Sequence, residues 1–147
     1  MTKKSSDGVG GRQVNLTVYV PPVPASRPRV TRWGTYYGKT YRAYREASDA
    51  AIPKSVNPPL AGNLKATIEF VCQRPKTTKR ICPMGDIDNH MKAILDAVVG
   101  QKATRAIPCR LKGYIEDDMQ IVDVEATKRW AIQNEQPHTK IRIEQVL

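Results

Sequence analysis

The chain has 147 residues, of which 40% are hydrophobic and 26% charged, and its formal net charge at pH 7 is +10. This length suits a single domain with its own hydrophobic core, and the composition excludes an intrinsically disordered chain. A membrane-spanning protein is excluded as well, because the longest apolar stretch, 93–99, is interrupted by Asp96 and is far too short to cross a bilayer.

The positive charge is concentrated near the start of the chain. The first 45 residues contain nine lysines and arginines and one acidic residue, Asp7. A surface of this kind binds phosphate backbones by releasing counterions, although a cationic face can also serve solubility alone. No apolar run follows the first basic residues, so the sequence does not indicate a secretory signal and we expect a cytoplasmic protein.

The N-terminal third predicts a tail, a strand and a loop. Residues 1–12 are rich in Gly, Ser and Lys and are typical of a flexible basic tail, which leaves 13–147 as the domain. Apolar and polar residues alternate over 14–20, which predicts a half-buried strand that ends at the two prolines that follow. The segment 21–39 has no clear period, and we expect an exposed basic loop there.

Two changes of hydrophobic period define the middle of the chain. A helix is predicted over 40–51, with Thr40 as its cap. Alternation then predicts a strand over 63–73, which a cationic loop follows. From residue 88 the apolar residues recur at the spacing of one helical face, so we predict a second helix over 88–99.

The remaining elements complete the expected fold. A long basic loop over 101–113 leads to two strands, predicted by alternation over 120–130 and 139–147. The order strand, helix, strand, helix, strand, strand predicts one small α/β (α+β) domain with a mixed β-sheet and two main helices packed on it.

Two acidic runs interrupt this basic sequence, and they are the strongest functional signal. Asp86 and Asp88 lie two residues apart ahead of the second helix, and in an extended approach both side chains would point the same way. Carboxylates repel a polyanion unless a divalent cation lies between them. Mg²⁺ prefers such oxygen ligands together with water and phosphate. Asp117 and Asp118 would complete the site if the fold brings them alongside.

Each of these residues also has a simpler interpretation. Lys92 lies one helical turn after Asp88, where its ammonium could orient a phosphate, or could form an ordinary ion pair with Asp88 or Asp96. Asp88 could be a helix N-cap. The pair Asp117-Asp118 could be a turn before a strand. Because a cap explains one carboxylate and leaves the others without a role, a metal-dependent nuclease is the better hypothesis.

The ordered motifs resemble those of a known family, the RusA Holliday junction resolvases. The matching segments are Asp86-Ile87-Asp88-Asn89-His90-Met91-Lys92, then Asp96-Ala97, then Ile115-Glu116-Asp117-Asp118-Met119-Gln120-Ile121. The resemblance implies that Asp86, Asp88 and Asp118 are catalytic carboxylates and metal ligands, that Lys92 is a catalytic lysine, and that Asp117 is an additional ligand. It implies a homodimer that uses Mg²⁺, with Mn²⁺ as a substitute, and in many members a phage or prophage origin.

The expected function is therefore the resolution of four-way DNA junctions by paired symmetric nicks, in DNA recombination and repair. One chain carries one acidic set, while two symmetric cuts need two, which independently favours a homodimer. The residues expected to contact DNA lie in the two basic loops: Arg27, Arg29, Arg32, Arg74, Lys76, Lys79 and Arg80. The alternative is a non-catalytic nucleic-acid-binding module in which Trp33 and its neighbouring tyrosines stack on bases. If the chain is phage encoded, we expect it in the bacterial host cytoplasm.

Overall fold

The structure is a computed structural model that describes residues 11–25, 29–36, 38–99 and 112–146. The elements in chain order are β1 (Gln13–Val18), β2 (Arg29–Thr31), β3 (Gly34–Tyr36), α1 (Lys39–Ala51), β4 (Leu64–Cys72), α2 (Ile87–Val98), β5 (Ile121–Trp130) and β6 (His138–Gln145). A short 3₁₀ helix, Asp118–Gln120, leads directly into β5. Most of the predicted tail, residues 1–10, and most of the 101–113 loop lie outside the described residues.

Four strands form one mixed sheet in the order β1-β6-β4-β5. The β4 and β5 strands run parallel, whereas β6 is antiparallel to both β1 and β4. Parallel neighbours need a crossover connection, and α2 lies in the connection between β4 and β5. The predicted mixed sheet and two main helices are confirmed.

The hydrophobic core lies between this sheet and the two helices. Every second residue of β4 from Leu64 to Phe70 is buried, and Ile141 and Ile143 of β6 are buried beside them. The apolar stripe of α2, which includes Ile94, packs against that face. Burying side chains of this size stabilises the fold by about 1.5 to 3 kcal/mol each. The opposite face of the sheet carries the alternate, polar residues.

Three local predictions were wrong. Within the expected basic loop, β2 and β3 form an antiparallel hairpin of their own, with Val30 opposite Thr35. Thr40 does not cap α1, because the helix begins at Lys39 and Gly38 takes the N-cap position. The α2 helix begins at Ile87, one residue earlier than predicted, and this shift changes the geometry of the first acidic run.

No helix in the described ranges is long and apolar enough to cross a membrane. The edge strand β5 is only partly covered: Val124 shares the core-facing side with Ala126 yet is 40% exposed, and Val122, at an irregularity in the β4–β5 register, is 57% exposed. The acidic residues that precede β5 are therefore close to the surface.

Candidate active site

The first acidic run surrounds the start of α2. Asp86 is the N-cap residue, with extended backbone angles of φ −73° and ψ 146°, while Asp88 lies within the first turn of the helix. The prediction that both carboxylates lie on one extended segment is therefore wrong, because the helix begins between Asp86 and Asp88. Asp88 accepts a hydrogen bond from the backbone N–H of Asn89 at 3.0 Å. Within the described structure, the side chain of Asp86 makes no capping hydrogen bond, so capping does not occupy its carboxylate.

The second acidic run is a rigid turn ahead of β5. Asp117 caps the short 3₁₀ helix, because its Oδ1 accepts from the N–H of Met119 at 2.9 Å. Gln120 supports the same turn, since its Oε1 accepts from the N–H groups of Glu116 and Asp117. Its Nε2 donates at 2.9 Å to the carbonyl of Leu60. This capping box fixes the backbone at Asp118.

Lys92 joins the two runs. Its Nζ lies 2.9 Å from Oδ2 of Asp118 and 3.1 Å from Oδ1 of Asp96, one turn further along α2. The Lys92 side chain is 55% exposed, compared with 32% for Asp118, so the ammonium is open to solvent on one side. The simpler interpretation of Lys92 as a partner of Asp96 is confirmed, and the contact with Asp118 is additional to it.

The same contacts set the charge states. The hydrogen bond that Lys92 donates to Asp118 raises the pKa of Lys92 above its ordinary value of 10.5, so the ammonium is charged throughout the neutral range. In return, the hydrogen bond from Lys92 lowers the pKa of Asp118 below 3.8. A carboxylate and an ammonium thus face each other as ions at the surface of the domain.

A buried arginine supports this ion pair from the core side. Arg45 of α1 is 3% exposed, and its Nη1 lies 3.9 Å from Oδ2 of Asp96. The same guanidinium donates to the hydroxyl of Tyr41 at 2.9 Å and to the backbone carbonyl of Asp96 at 3.4 Å. Arg45, Asp96, Lys92 and Asp118 therefore form one chain of alternating charges that runs from the core to the surface.

The carboxylates provide suitable ligands for Mg²⁺, but they are not gathered round one point. Across the described ranges, no three His, Cys, Asp or Glu side chains form a group that could hold a metal ion. Lys92 follows Asp88 by four helical residues, a rise of about 6 Å, and its ammonium contacts Asp118 at 2.9 Å. The donor chemistry fits an ion held by one or two carboxylates with water and phosphate, which is the usual arrangement for Mg²⁺.

The residues expected to contact DNA lie on two surface segments. Arg32 and Trp33 form the turn of the β2–β3 hairpin, with the guanidinium carbon 5.0 Å from the centre of the indole ring. Arg29 begins β2, and Arg27 lies outside the described residues. Arg74, Lys76, Lys79 and Arg80 are all exposed in the loop that follows β4.

This loop, 73–80, leads toward Asp86 and is held by Trp130 at the end of β5. The indole Nε1 of Trp130 donates at 3.2 Å to the carbonyl of Arg80. The guanidinium of Arg74 lies 6.0 Å from the Trp130 ring. A basic segment is therefore held by β5 shortly before the first acidic run.

Sequence reasoning gave no role to Gln120, Arg45 or Trp130. The spacing Asp117-x-x-Gln120 matches a capping box and could have identified Gln120 as a support of the turn. No comparable local signal exists for Arg45 or Trp130, because each of them acts on a segment about fifty residues away in the sequence.

The fold and the site can be compared with known proteins. A family model described as "Endodeoxyribonuclease RusA" matches residues 20–144. The matched range contains both acidic runs, Lys92 and both basic segments. No curated protein matches the chain.

Proposed function

Because the chain belongs to the RusA family of endodeoxyribonucleases, we propose that it resolves four-way DNA junctions by paired, symmetric nicks that depend on Mg²⁺. Mn²⁺ would substitute for Mg²⁺, since it too accepts carboxylate and water ligands. The catalytic residues would be Asp86, Asp88, Asp118 and Lys92.

The observation that carries this proposal is the contact between Lys92 and Asp118. It brings an ammonium and a carboxylate from separate motifs together at 2.9 Å, on the solvent side of α2. An ion pair that served only stability would need no carboxylate at the helix start, yet Asp86 and Asp88 lie there, exposed to solvent.

We assign the roles from the chemistry of each group. Asp86 and Asp88 would hold the metal at the start of α2, with water and phosphate as its other ligands, and Asp118, with Asp117 as its neighbour, would hold the ammonium of Lys92. Bound Mg²⁺ supplies an activated water and neutralises charge on the phosphate. The ammonium of Lys92 would orient the scissile phosphate and stabilise the developing oxyanion.

The same proposal requires two chains. Resolution needs two cuts related by a twofold axis, and one chain carries a single pair of acidic runs. A closed twofold dimer is the commonest arrangement of identical chains, so we propose a homodimer with one active site in each protomer.

The direct experiment is cleavage of a synthetic four-way junction with Mg²⁺ or Mn²⁺. We expect paired nicks with the wild-type chain and none with Asp86→Asn or Asp118→Asn. Both variants should bind the junction as well as the wild type or more tightly, because each removes a negative charge that would face phosphate.

A matched control is Glu125→Gln. Glu125 is an exposed carboxylate that forms an ion pair with Lys65 at 3.1 Å, on the sheet face that the helices do not cover, so its removal should leave cleavage unchanged. Failure of the wild-type chain to cut any branched DNA with either metal would refute the proposal.

A second candidate, a non-catalytic DNA-binding module, is favoured by the hairpin. Trp33 is 69% exposed at its turn, beside the cation of Arg32, and Val30 of β2 is 77% exposed. This candidate predicts junction binding that is equal with and without metal, together with no cleavage.

A further inference from the structure

The backbone immediately before Asp86 is held in an unusual way. Three consecutive carbonyls, those of residues 83–85, each accept a hydrogen bond from a side chain. Nζ of Lys128 donates to the carbonyl of Pro83 at 2.8 Å and also to that of Gly85. Nε2 of His90 lies 3.0 Å from the carbonyl of Met84. We call residues 83–85 the carbonyl turn.

The lysine reaches the carbonyl turn because of its place in the sheet. Lys128 pairs with Phe70 in the parallel β4–β5 register, so its side chain leaves the sheet on the face that carries the core. An ammonium has three donors and no acceptor, and here two of them end on backbone carbonyls. The side chain thereby connects the end of β5 to the segment that precedes α2.

The histidine holds the same turn from the helix. His90 is 1% exposed, and its ring centre lies 5.2 Å from that of Phe70. Since a carbonyl only accepts, Nε2 must carry the proton. Among the described residues Nδ1 has no hydrogen-bond partner, so the only hydrogen bond of this buried ring is made to the carbonyl turn.

Packing leaves the turn little freedom. Gly85 has a φ of +92°, which side-chain-bearing residues rarely adopt, and a Cβ there would lie 2.8 Å from Cγ of Pro24. The N–H of Ala25 donates to the carbonyl of Asn89 at 2.9 Å, which ties the same proline segment to the first turn of α2. The backbone before Asp86 is therefore held by Lys128, by His90 and by the packing of Pro24. The side chain of Asp86 itself makes no capping hydrogen bond.

We propose that Lys128 and His90 are positioning residues for the cleavage reaction, which hold the carbonyl turn so that the Asp86 carboxylate is presented to the metal and the phosphate. This inference rests on the proposed function, since it takes Asp86 as a residue of the active site. A lysine in a DNA-binding protein is ordinarily expected to contact phosphate, whereas Lys128 is given a different role here.

The experiment compares Lys128→Met with Lys128→Arg and with Lys140→Met. Lys140 is an exposed lysine on β6, which β4 separates from β5, so its variant loses the same charge without touching the turn. Junction affinity is measured without metal, and single-turnover cleavage is measured over a range of Mg²⁺ concentrations.

We expect cleavage by Lys128→Met to fall by about 10- to 100-fold, as is typical when a support of a metal ligand is removed, with a higher Mg²⁺ concentration at half-maximal rate. Its junction affinity should equal that of Lys140→Met, and Lys128→Arg should recover part of the rate. Cleavage by Lys128→Met equal to that of Lys140→Met at every Mg²⁺ concentration would overturn the inference.

A second pair of variants covers the case in which Lys128→Met does not fold. Gln can place an amide N–H where His90 has Nε2, whereas Leu cannot, so His90→Gln should cut faster than His90→Leu at equal junction affinity. The backbone amide resonances of Gly85 and Asp86 give a readout without cleavage, and they should shift in His90→Leu but return toward wild type in His90→Gln. Equal rates and equal spectra for the two variants would refute the role of His90.

The result also separates this inference from the proposed function. If Asp86→Asn cuts as fast as the wild type, the proposed function fails. If Asp86→Asn is inactive while Lys128→Met and His90→Leu both cut normally, only the positioning role fails.

Discussion

Nζ of Lys92 lies 2.9 Å from Oδ2 of Asp118, although 26 residues separate them in the sequence. The contact connects the long helix of the crossover to the turn that begins the last parallel strand. Each of the two acidic motifs thereby contributes one partner of a surface ion pair. Asp96 holds the same ammonium from the other side at 3.1 Å.

Removing this ammonium should stop catalysis without unfolding the protein. We expect Lys92→Met to cut a four-way junction about 100-fold more slowly or worse, as is typical for loss of a group that stabilises an oxyanion, and Lys92→Arg to retain part of the rate. Lys65→Met is a matched control, because Lys65 also forms an exposed ion pair, with Glu125 at 3.1 Å. Single-turnover rates and thermal unfolding of all three variants test this, and equal rates for Lys92→Met and Lys65→Met would contradict it.

The buried end of the same charge chain should matter for stability. Asp96→Asn removes the carboxylate that faces Arg45, which is 3% exposed. We expect the free energy of unfolding to fall by about 2 to 3 kcal/mol, because a buried cation loses its counter-charge. Urea denaturation measures this loss, and the double variant Arg45→Met/Asp96→Asn should recover part of it. A double variant less stable than Asp96→Asn alone would show that Arg45 does not depend on Asp96.

A second ion pair gives a pH dependence. Oε1 and Oε2 of Glu135 each lie 2.7 Å from the guanidinium of Arg129, and these hydrogen bonds lower the pKa of Glu135 from 4.5 to about 2. As the pH falls, Glu135 is protonated near pH 4.5 in the unfolded chain but only near pH 2 in the folded chain. The ion pair with Arg129 therefore stabilises the fold fully above pH 4.5, and this stabilisation is lost as the pH falls toward 2.

The difference in Tm between wild type and Glu135→Gln should therefore be larger at pH 7 than at pH 3. Glu125→Gln is the control, since a single exposed ion pair contributes little at either pH. Thermal unfolding followed by circular dichroism measures both differences. A Tm difference for Glu135→Gln that grows as the pH falls would contradict the prediction.

The sequence predicted well those elements in which one buried face produces a regular pattern of apolar residues. Alternation identified β4 and β6 because each has one face in the core, and the apolar stripe identified α2 for the same reason. Strands β2 and β3 were missed because three residues are too few to show a period. Alternation alone could not show that Val122 and Val124 lie uncovered on an edge strand.

The same limit applies to the candidate active site. Both Asp86 and Asp88 are suitable N-cap residues, so the sequence alone does not show where α2 begins. In the structure the helix begins at Ile87, and Lys128 and His90 form hydrogen bonds to the turn that precedes it. The sequence offered Asp88 or Asp96 as partners of Lys92. Asp118 could not be inferred from spacing on one helix, because the contact depends on how α2 packs beside β5.

The last prediction concerns how the hairpin contacts DNA. Trp33 is 69% exposed with Arg32 beside it, which suits stacking on an unpaired base at a branch point. A base stacked on an aromatic ring contributes about 1 to 3 kcal/mol, so Trp33→Ala should weaken junction binding about 5-fold or more, while Trp33→Phe should keep most of the affinity. Binding is measured in an Asp86→Asn background, in which we expect no cleavage.

Tryptophan fluorescence gives an independent measurement of the same contact. The chain has two tryptophans, and the other, Trp130, is half-buried and donates to the carbonyl of Arg80. Stacking on a base should quench Trp33, so the quenching seen when the parent protein binds a junction should largely disappear in Trp33→Phe. Fully paired duplex of the same length should quench less, because it offers no unpaired base. Equal quenching by junction and duplex, or full junction affinity in Trp33→Ala, would exclude base stacking by this hairpin and leave Arg32 to act on phosphate alone.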